Sequence, residues 1–222
     1  MADKLRVLQD KIERAYEIQC SQVLETGIVS LNAGTNIDFK RKAASLVDKG
    51  ADNYWATGTI NPFLDLENGC KFLRQEGKAQ GSMFNAIMGG EAYKDFLDND
   101  IVKARADIRN YSLDAIRAPQ NNSVGASLHG VVSAGSYSVA LWTYPEYFDA
   151  TSNGSSTPYI NEKKTIILPE APNFTLGFAA VPQLVTKGGG IRKGAYIVGD
   201  YVDERNDKHV FDIKSACGAI PV

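Results

Sequence analysis

Apolar residues recur at steps of three and four over the first 25 positions. Leu5, Leu8, Ile12, Ala15, Tyr16 and Val23, with Gln19 among them, fall on one face of a helix. The spacing predicts a helix over 2–25, about 35 Å long at 1.5 Å per residue. Asp10 and Arg14 stand an i,i+4 step apart on its wetter side, and Gly27 is placed to stop it. "GIVSLN" and "TNIDFK" then read as the arms of a hairpin around "AGTN". "DNYWATGTI" reads as loop or edge strand. "NPFLDLENGCKFLRQEG" opens a second helix with Asn61 as N-cap and Pro62 at the first helical position. Its stripe is Phe63, Leu66, Cys70 and Leu73 or Phe72; Gly69 weakens it and Gly77 ends it.

The period then changes. "SMFNAIMG" reads as a buried strand, and "GEAYKDFLDNDIVKARAD" as one or two helices packed by Ala92, Phe96, Leu97 and Ile101. "APQNNSVGAS" is loop, and residues 130–149 return to strand character with a bend at Gly135. "TIILPE", "FTLGFAAV", "AYIVGDYV" and "HVFDIKSACGAI" complete a β-rich second half. Between residues 141 and 170 two apolar stretches flank the polar "DATSNGSSTP": Leu141, Trp142, Tyr144, Tyr147 and Phe148 before it, Ile166, Ile167 and Leu168 after. No internal repeat is visible, and the class is α+β rather than a regular βαβ series.

Composition alters this picture little. The 222 residues are 44% hydrophobic and 23% charged, ordinary for a globular chain. Net charge is −2, so no global basic field is present to hold nucleic acid. No run approaches the roughly 18 apolar residues of a membrane helix. The charged N-terminus lacks the apolar stretch of a signal peptide. Cys20, Cys70 and Cys217 are odd in number and far apart, which points to a reduced, cytosolic origin.

The search for chemistry returns little. "EGKAQGS" has the composition of a phosphate-binding loop in the wrong order, and "KGGGIRKG" at 187–194 reads as a mobile loop. The acidic "GDYVDERND" at 199–207 lacks the glycine and ligand spacing of a calcium loop and reads as a solvated turn. The cysteines and histidines form no zinc-type cluster. "GASLHG" sets Ser127 two residues before His129 without forming a nucleophile elbow. No catalytic residue, metal ligand or cofactor is expected, and the chain reads as a non-enzyme.

The order of segments carries a resemblance. "IDFKR" at 37–41, Trp55 and the proline-led helix from Pro62 come first. Tyr144 to Phe148, Pro158-Tyr159-Ile160 and Ile166-Ile167-Leu168-Pro169 follow, then Ser215 and "AIPV" at 219–222. This succession resembles the lambda-like major capsid proteins of tailed bacteriophages, the major capsid protein E family. The resemblance implies the Hong Kong 97-type fold, with a spine helix, a peripheral β-sheet domain and an axial domain. It sets residues 1–59 as the first part of the peripheral domain, with the spine helix at 2–25. Residues 60–190 become the axial domain, and 191–222 the second peripheral part with the C-terminal strand. The N-terminal arm and extended loop of such proteins have no counterpart ahead of the helix.

The implied function is that of a structural subunit of a phage or prophage shell, assembling with itself into hexamers and pentamers around DNA that it does not bind specifically. Scaffolding, decoration and portal proteins are the implied partners. The virion capsid is the implied location, after synthesis in the host cytoplasm. Arg14, Arg41, Arg105, Tyr144 and Tyr147 are the candidate inter-subunit contacts, and Tyr144, Tyr147 and Phe148 are expected to anchor their strands on the domain core. Two alternatives stand beside this one. A small hydrolase would bring Ser127 and His129 together with a carboxylate in a pocket. An encapsulin-like shell subunit would need a cargo groove that the sequence does not reveal.

Overall fold

The computed structural model describes residues 2–31, 36–50, 54–108, 120–121, 125–149, 156–177, 180–183, 190–193, 197–203, 208–214 and 220–221. They fall into two compact units: Met1–Val23, Gly27–Phe39 and Asn173–Val222 form one, and Leu24–Thr26 with Lys40–Pro172 form the other. The mixture of helices and sheets is the α+β class read from the sequence.

The opening helix, α1, spans Ala2–Thr26, of which residues 2–23 belong to the first unit. Its expected stripe is only half-buried at Ile12, Ala15, Tyr16, Gln19 and Val23, and among the side chains described Ser21 is the buried one, its hydroxyl donating to the Ile18 carbonyl at 2.8 Å. Gly27 ends the helix with φ 75° and its N–H on Val23 O at 2.9 Å, a left-handed cap that glycine adopts without strain. The predicted hairpin follows as β1 (Ile28–Ser30) and β2 (Asn36–Asp38), with Val29 turned inward.

The C-terminal segment supplies antiparallel pairs. Strand β10 (Leu176–Gly177) pairs with β15 (Ile220–Pro221), β11 (Ala180–Gln183) with β12 (Gly190–Lys193), and β13 (Ile197–Asp203) with β14 (Lys208–Lys214). One sequence reading changes here: residues 190–193 of "KGGGIRKG" are strand rather than mobile loop, because cross-strand pairing overrode local composition. At 199–203, read both as the end of "AYIVGDYV" and as the start of a solvated turn, the strand reading holds. Cys217 and Ser215 lie outside the described residues.

The second unit holds the main core. Its five-stranded sheet has the order β4-β5-β6-β3-β9: β4 (Gln120–Asn121), β5 (Ser127–Ala134), β6 (Tyr137–Thr143), β3 (Met83–Met88) and β9 (Thr165–Pro169). Strands β3 and β6 run parallel and the other pairs antiparallel. Alternation along β3 turns Phe84, Ala86 and Met88 to one face, beside Val139 and Leu141 of β6. Three helices pack there: α2 (Pro62–Gln75) through Phe63, Leu66 and Cys70, α3 (Gly90–Asp98) through Ala92 and Phe96, and α4 (Asp100–Ile108) through Val102. Among the side chains described in α4 the buried one is thus Val102; Ile101, expected from the sequence, is only half-buried. Phe84 and Phe96 are fully buried, each contributing about 2–3 kcal/mol.

Asn61 caps α2 as expected, its side chain accepting the Phe63 N–H at 3.1 Å. Gly69 lies mid-helix because α2 rests directly on β9: an added Cβ would collide with Ile167 Cδ1. Gly135 makes the predicted bend, with φ 59°. Asn99 separates α3 from α4 and is fully buried. Its Nδ2 donates to the carbonyls of Trp55 and Ile60, both at 2.9 Å, while its Oδ1 accepts the Ile101 N–H at 3.0 Å. One amide thus caps α4 and ties down the chain before α2. Trp55 sits in a short 3-10 turn, Trp55–Thr57, edge-on to Phe96 and donating to Asp65 Oδ2 at 2.9 Å.

Candidate functional site

Among the described residues no cluster of three or more His, Cys, Asp or Glu side chains could hold a metal ion, and no helix is long and apolar enough to cross a membrane. His129, the side chain best suited to acid–base work, sits on a bulge. Leu128 pairs with Trp142 and Gly130 with Leu141, so His129 is the extra residue in β5. Its ring stacks on Tyr93 of α3, with centroids 4.1 Å apart and planes 28° apart, and its Nε2 shares a hydrogen bond with Thr143 Oγ1 at 2.8 Å. Burial pushes its pKa below the ordinary 6.5. Ser127 is buried opposite Thr143 in the register. These contacts are an aromatic ring and a hydroxyl where a hydrolase would set a carboxylate. The arrangement is that of a neutral imidazole fastening α3 to the sheet.

The three arginines differ in kind. Arg14 is exposed on α1. Arg41 works within its own chain: Nη1 donates to Leu24 O at 2.5 Å, satisfying a carbonyl of the last turn of α1, and Nε donates to Ser45 Oγ at 2.7 Å. Partial burial lowers its pKa. Arg105 of α4 lies over the Phe63 ring, 4.3 Å from its centroid.

The tyrosines also part company. Tyr144 is half-buried and edge-on to Tyr159, and Phe148 packs on the same ring at 5.0 Å. Tyr147 alternates to the other side of the hairpin formed by β7 (Tyr147–Asp149) and β8 (Ser156–Pro158). It is 51% exposed, so it does not anchor that hairpin on the core as expected. Its hydroxyl donates to Glu162 Oε1 at 2.7 Å, which raises its pKa through the hydrogen bond and the nearby charge. The "ATSNGS" centre of the connecting loop, residues 150–155, lies outside the described residues.

Beyond Arg41 and Trp55, the sequence did not single out residues 40–50 and 54–57. These residues make polar contacts along α2: Lys42 pairs with Glu76 at the surface, Lys49 reaches Asp65 Oδ1 at 2.6 Å, and Trp55 reaches the other oxygen of Asp65. Apolar side chains face solvent instead. Leu46 is 45% exposed, Val47 70%, Tyr54 43% and the neighbouring Leu64 of α2 52%. The available signal was Leu64 lying off the α2 stripe and "LV" following a basic run.

The family model described as phage major capsid protein E matches residues 1–215. No curated protein matches the chain. Among solved structures, a crystal structure described as a capsid protein of a prophage of E. coli CFT073 is similar, with TM-score 0.60 and 12% identity. The alignment covers 99% of this chain and 61% of that one, so the chain spans about three fifths of the length of this structural relative.

Proposed function

The chain belongs to the phage major capsid protein E family, a structural family rather than an enzymatic one, and from that premise we propose that it is a subunit of a tailed-phage or prophage shell. In this reading it has the Hong Kong 97-type fold and assembles with itself into hexamers and pentamers that enclose the genome. Residues 1–59 and 191–222 form the peripheral domain around the spine helix at 2–25, and residues 60–190 form the axial domain. What supports joining the N- and C-terminal segments is that they share one compact unit, although its limits fall at Phe39 and Asn173 rather than at 59 and 191. Scaffolding, decoration and portal proteins are the further partners, and the virion is the destination after synthesis in the host cytoplasm. Arg14 and Tyr147 remain candidate inter-subunit contacts. Arg41, Arg105 and Tyr144 would reach a neighbour only beside the internal contacts they already make.

The observation that carries the proposal is the family match over nearly the whole chain. A net charge of −2 accords with it, because a shell around dense DNA gains nothing from strong phosphate binding. Negative-stain electron microscopy with light-scattering mass tests it. Rings or closed shells are expected as concentration rises; a protein that remains monomeric at every concentration overturns the reading.

A further inference from the structure

We propose that Glu162 is a positioning residue for assembly: its carboxylate holds the exposed ring of Tyr147 in the one orientation in which a second copy of this chain meets it. On the shell reading, on which this rests, Tyr147 is an inter-subunit contact, and Glu162 is the group that presents it.

Phe148, the next residue of β7, takes the inner side of the hairpin against Tyr159, so Tyr147 turns outward. A long side chain in that position samples several rotamers and loses this freedom when a partner covers it. Here the phenol is tethered, donating to Glu162 Oε1 at 2.7 Å, a bond to a charged acceptor. The tether has a fixed base. The Glu162 carbonyl accepts the Ala92 N–H of α3 at 2.8 Å, and the Lys164 carbonyl accepts the Gly89 N–H at 2.9 Å. Glu25, in the last turn of α1, accepts the Asn161 N–H with one oxygen and pairs with Lys164 Nζ at 3.3 Å with the other. Asn161 Oδ1 accepts the Lys163 N–H at 3.0 Å and closes the turn. Residues 161–164 are thus pinned from two directions, and Glu162 passes that rigidity to a ring on a separate hairpin. Exposed to water, a phenol–carboxylate bond adds little to folding, because both groups exchange it for bonds to solvent. Its effect falls on association, where tyrosine is an aromatic of the type enriched at interface centres. The cost of ordering the ring is met when the chain folds rather than when copies meet, which is worth roughly two- to tenfold in the assembly concentration.

The test compares the assembly concentration of the wild type with that of Tyr147→Ala, Tyr147→Phe, Glu162→Ala, Glu162→Gln and the double variant Tyr147→Phe/Glu162→Ala, by light-scattering mass and electron microscopy. Circular dichroism and urea unfolding check that each variant folds. Tyr147→Ala is expected to raise the assembly concentration by at least about tenfold, as the loss of one central contact does. Tyr147→Phe and Glu162→Ala keep the ring but free it, and each should raise the concentration about two- to tenfold. The double variant should be no worse than either single, because both remove the same bond. Glu162→Gln, whose amide oxygen still accepts, should keep most of the wild-type behaviour. Glu162 also raises the Tyr147 pKa, so in a spectrophotometric titration Glu162→Ala should lower the pKa of the one tyrosine that Tyr147→Phe removes. A wild type that stays monomeric overturns the shell reading and this one with it. If the wild type assembles and Tyr147→Ala assembles equally well, Tyr147 is no contact, and the positioning role alone falls. If Tyr147→Ala is impaired while Tyr147→Phe and Glu162→Ala match the wild type, or if their losses add in the double variant, the tether has no part in assembly.

Discussion

Two adjacent glycines should respond in opposite directions to the same methyl group. A Cβ on Gly89 would run into the Asn161 carbonyl oxygen and lie 2.5 Å from the Cα and carbonyl carbon of Glu162; a Cβ on Gly90 meets nothing within 4 Å. The obstacle at Gly89 is main chain, which cannot rotate away. The 161–164 turn must therefore retreat from the junction of β3 and α3. That retreat breaks the bonds fastening it there, Gly89 N–H to Lys164 O at 2.9 Å and Ala92 N–H to Glu162 O at 2.8 Å. Each is worth about 1 kcal/mol, and overpacking adds about 1–3 kcal/mol. The reduced freedom of the unfolded chain returns about 0.4–1 kcal/mol.

Gly89→Ala should therefore cost about 2–4 kcal/mol, whereas Gly90→Ala, which receives only the last effect, should gain about 0.5–1 kcal/mol. Urea unfolding followed by circular dichroism reads the difference as a shift in midpoint at unchanged slope. At roughly 2–4 °C per kcal/mol for a chain of this size, thermal midpoints should separate by about 5–20 °C. Equal midpoints for the two variants would refute the close approach of main chain at Gly89.

Gly69→Ala adds helix propensity but strikes Ile167 Cδ1, and Ile167→Val removes that methyl at a cost of about 1 kcal/mol; the double variant should be about 1 kcal/mol more stable than the sum of the singles, and additivity would deny the contact. Asn99→Ala should cost about 2–4 kcal/mol in urea unfolding, because two buried carbonyls and an N–H lose their partner. Asn99→Asp should be no better at neutral pH, since a carboxylate oxygen would face the carbonyls of Trp55 and Ile60; a stability equal to wild type would show that the amide donor is not needed. The lowered pKa of His129 means that the folded state binds fewer protons than the unfolded one. Its contribution is complete above the ordinary value of 6.5 and declines as pH falls from there to the lower folded pKa. Urea midpoints should therefore drop from pH 7.5 to 5, and His129→Gln should remove part of that slope; an imidazole titrating at or above 6.5 by NMR would contradict the burial.

Elements written in short-range signals were legible. Asn61-Pro62 declared the start of α2, the three-and-four spacing declared α1, and Gly27 and Gly135 marked turns their φ angles require. What escaped was set by partners distant in sequence. The break between α3 and α4 depends on Asn99 finding carbonyls at positions 55 and 60. Gly69, read as a weakness of α2, is where the helix lies against Ile167. The bulge that makes His129 the extra residue between Leu128 and Gly130 follows from register with β6, which composition does not encode.

The same reasoning explains why a surface is harder to read than a core. A buried face must be apolar, so its period shows in the sequence. An exposed face must remain soluble, so its apolar residues stand among charges, as Leu46 and Val47 stand between Lys42 and Lys49. Local pattern therefore assigns such a segment to ordinary loop. Only the fold shows that Lys42 and Lys49 pair with Glu76 and Asp65 while Leu46 and Val47 stay exposed.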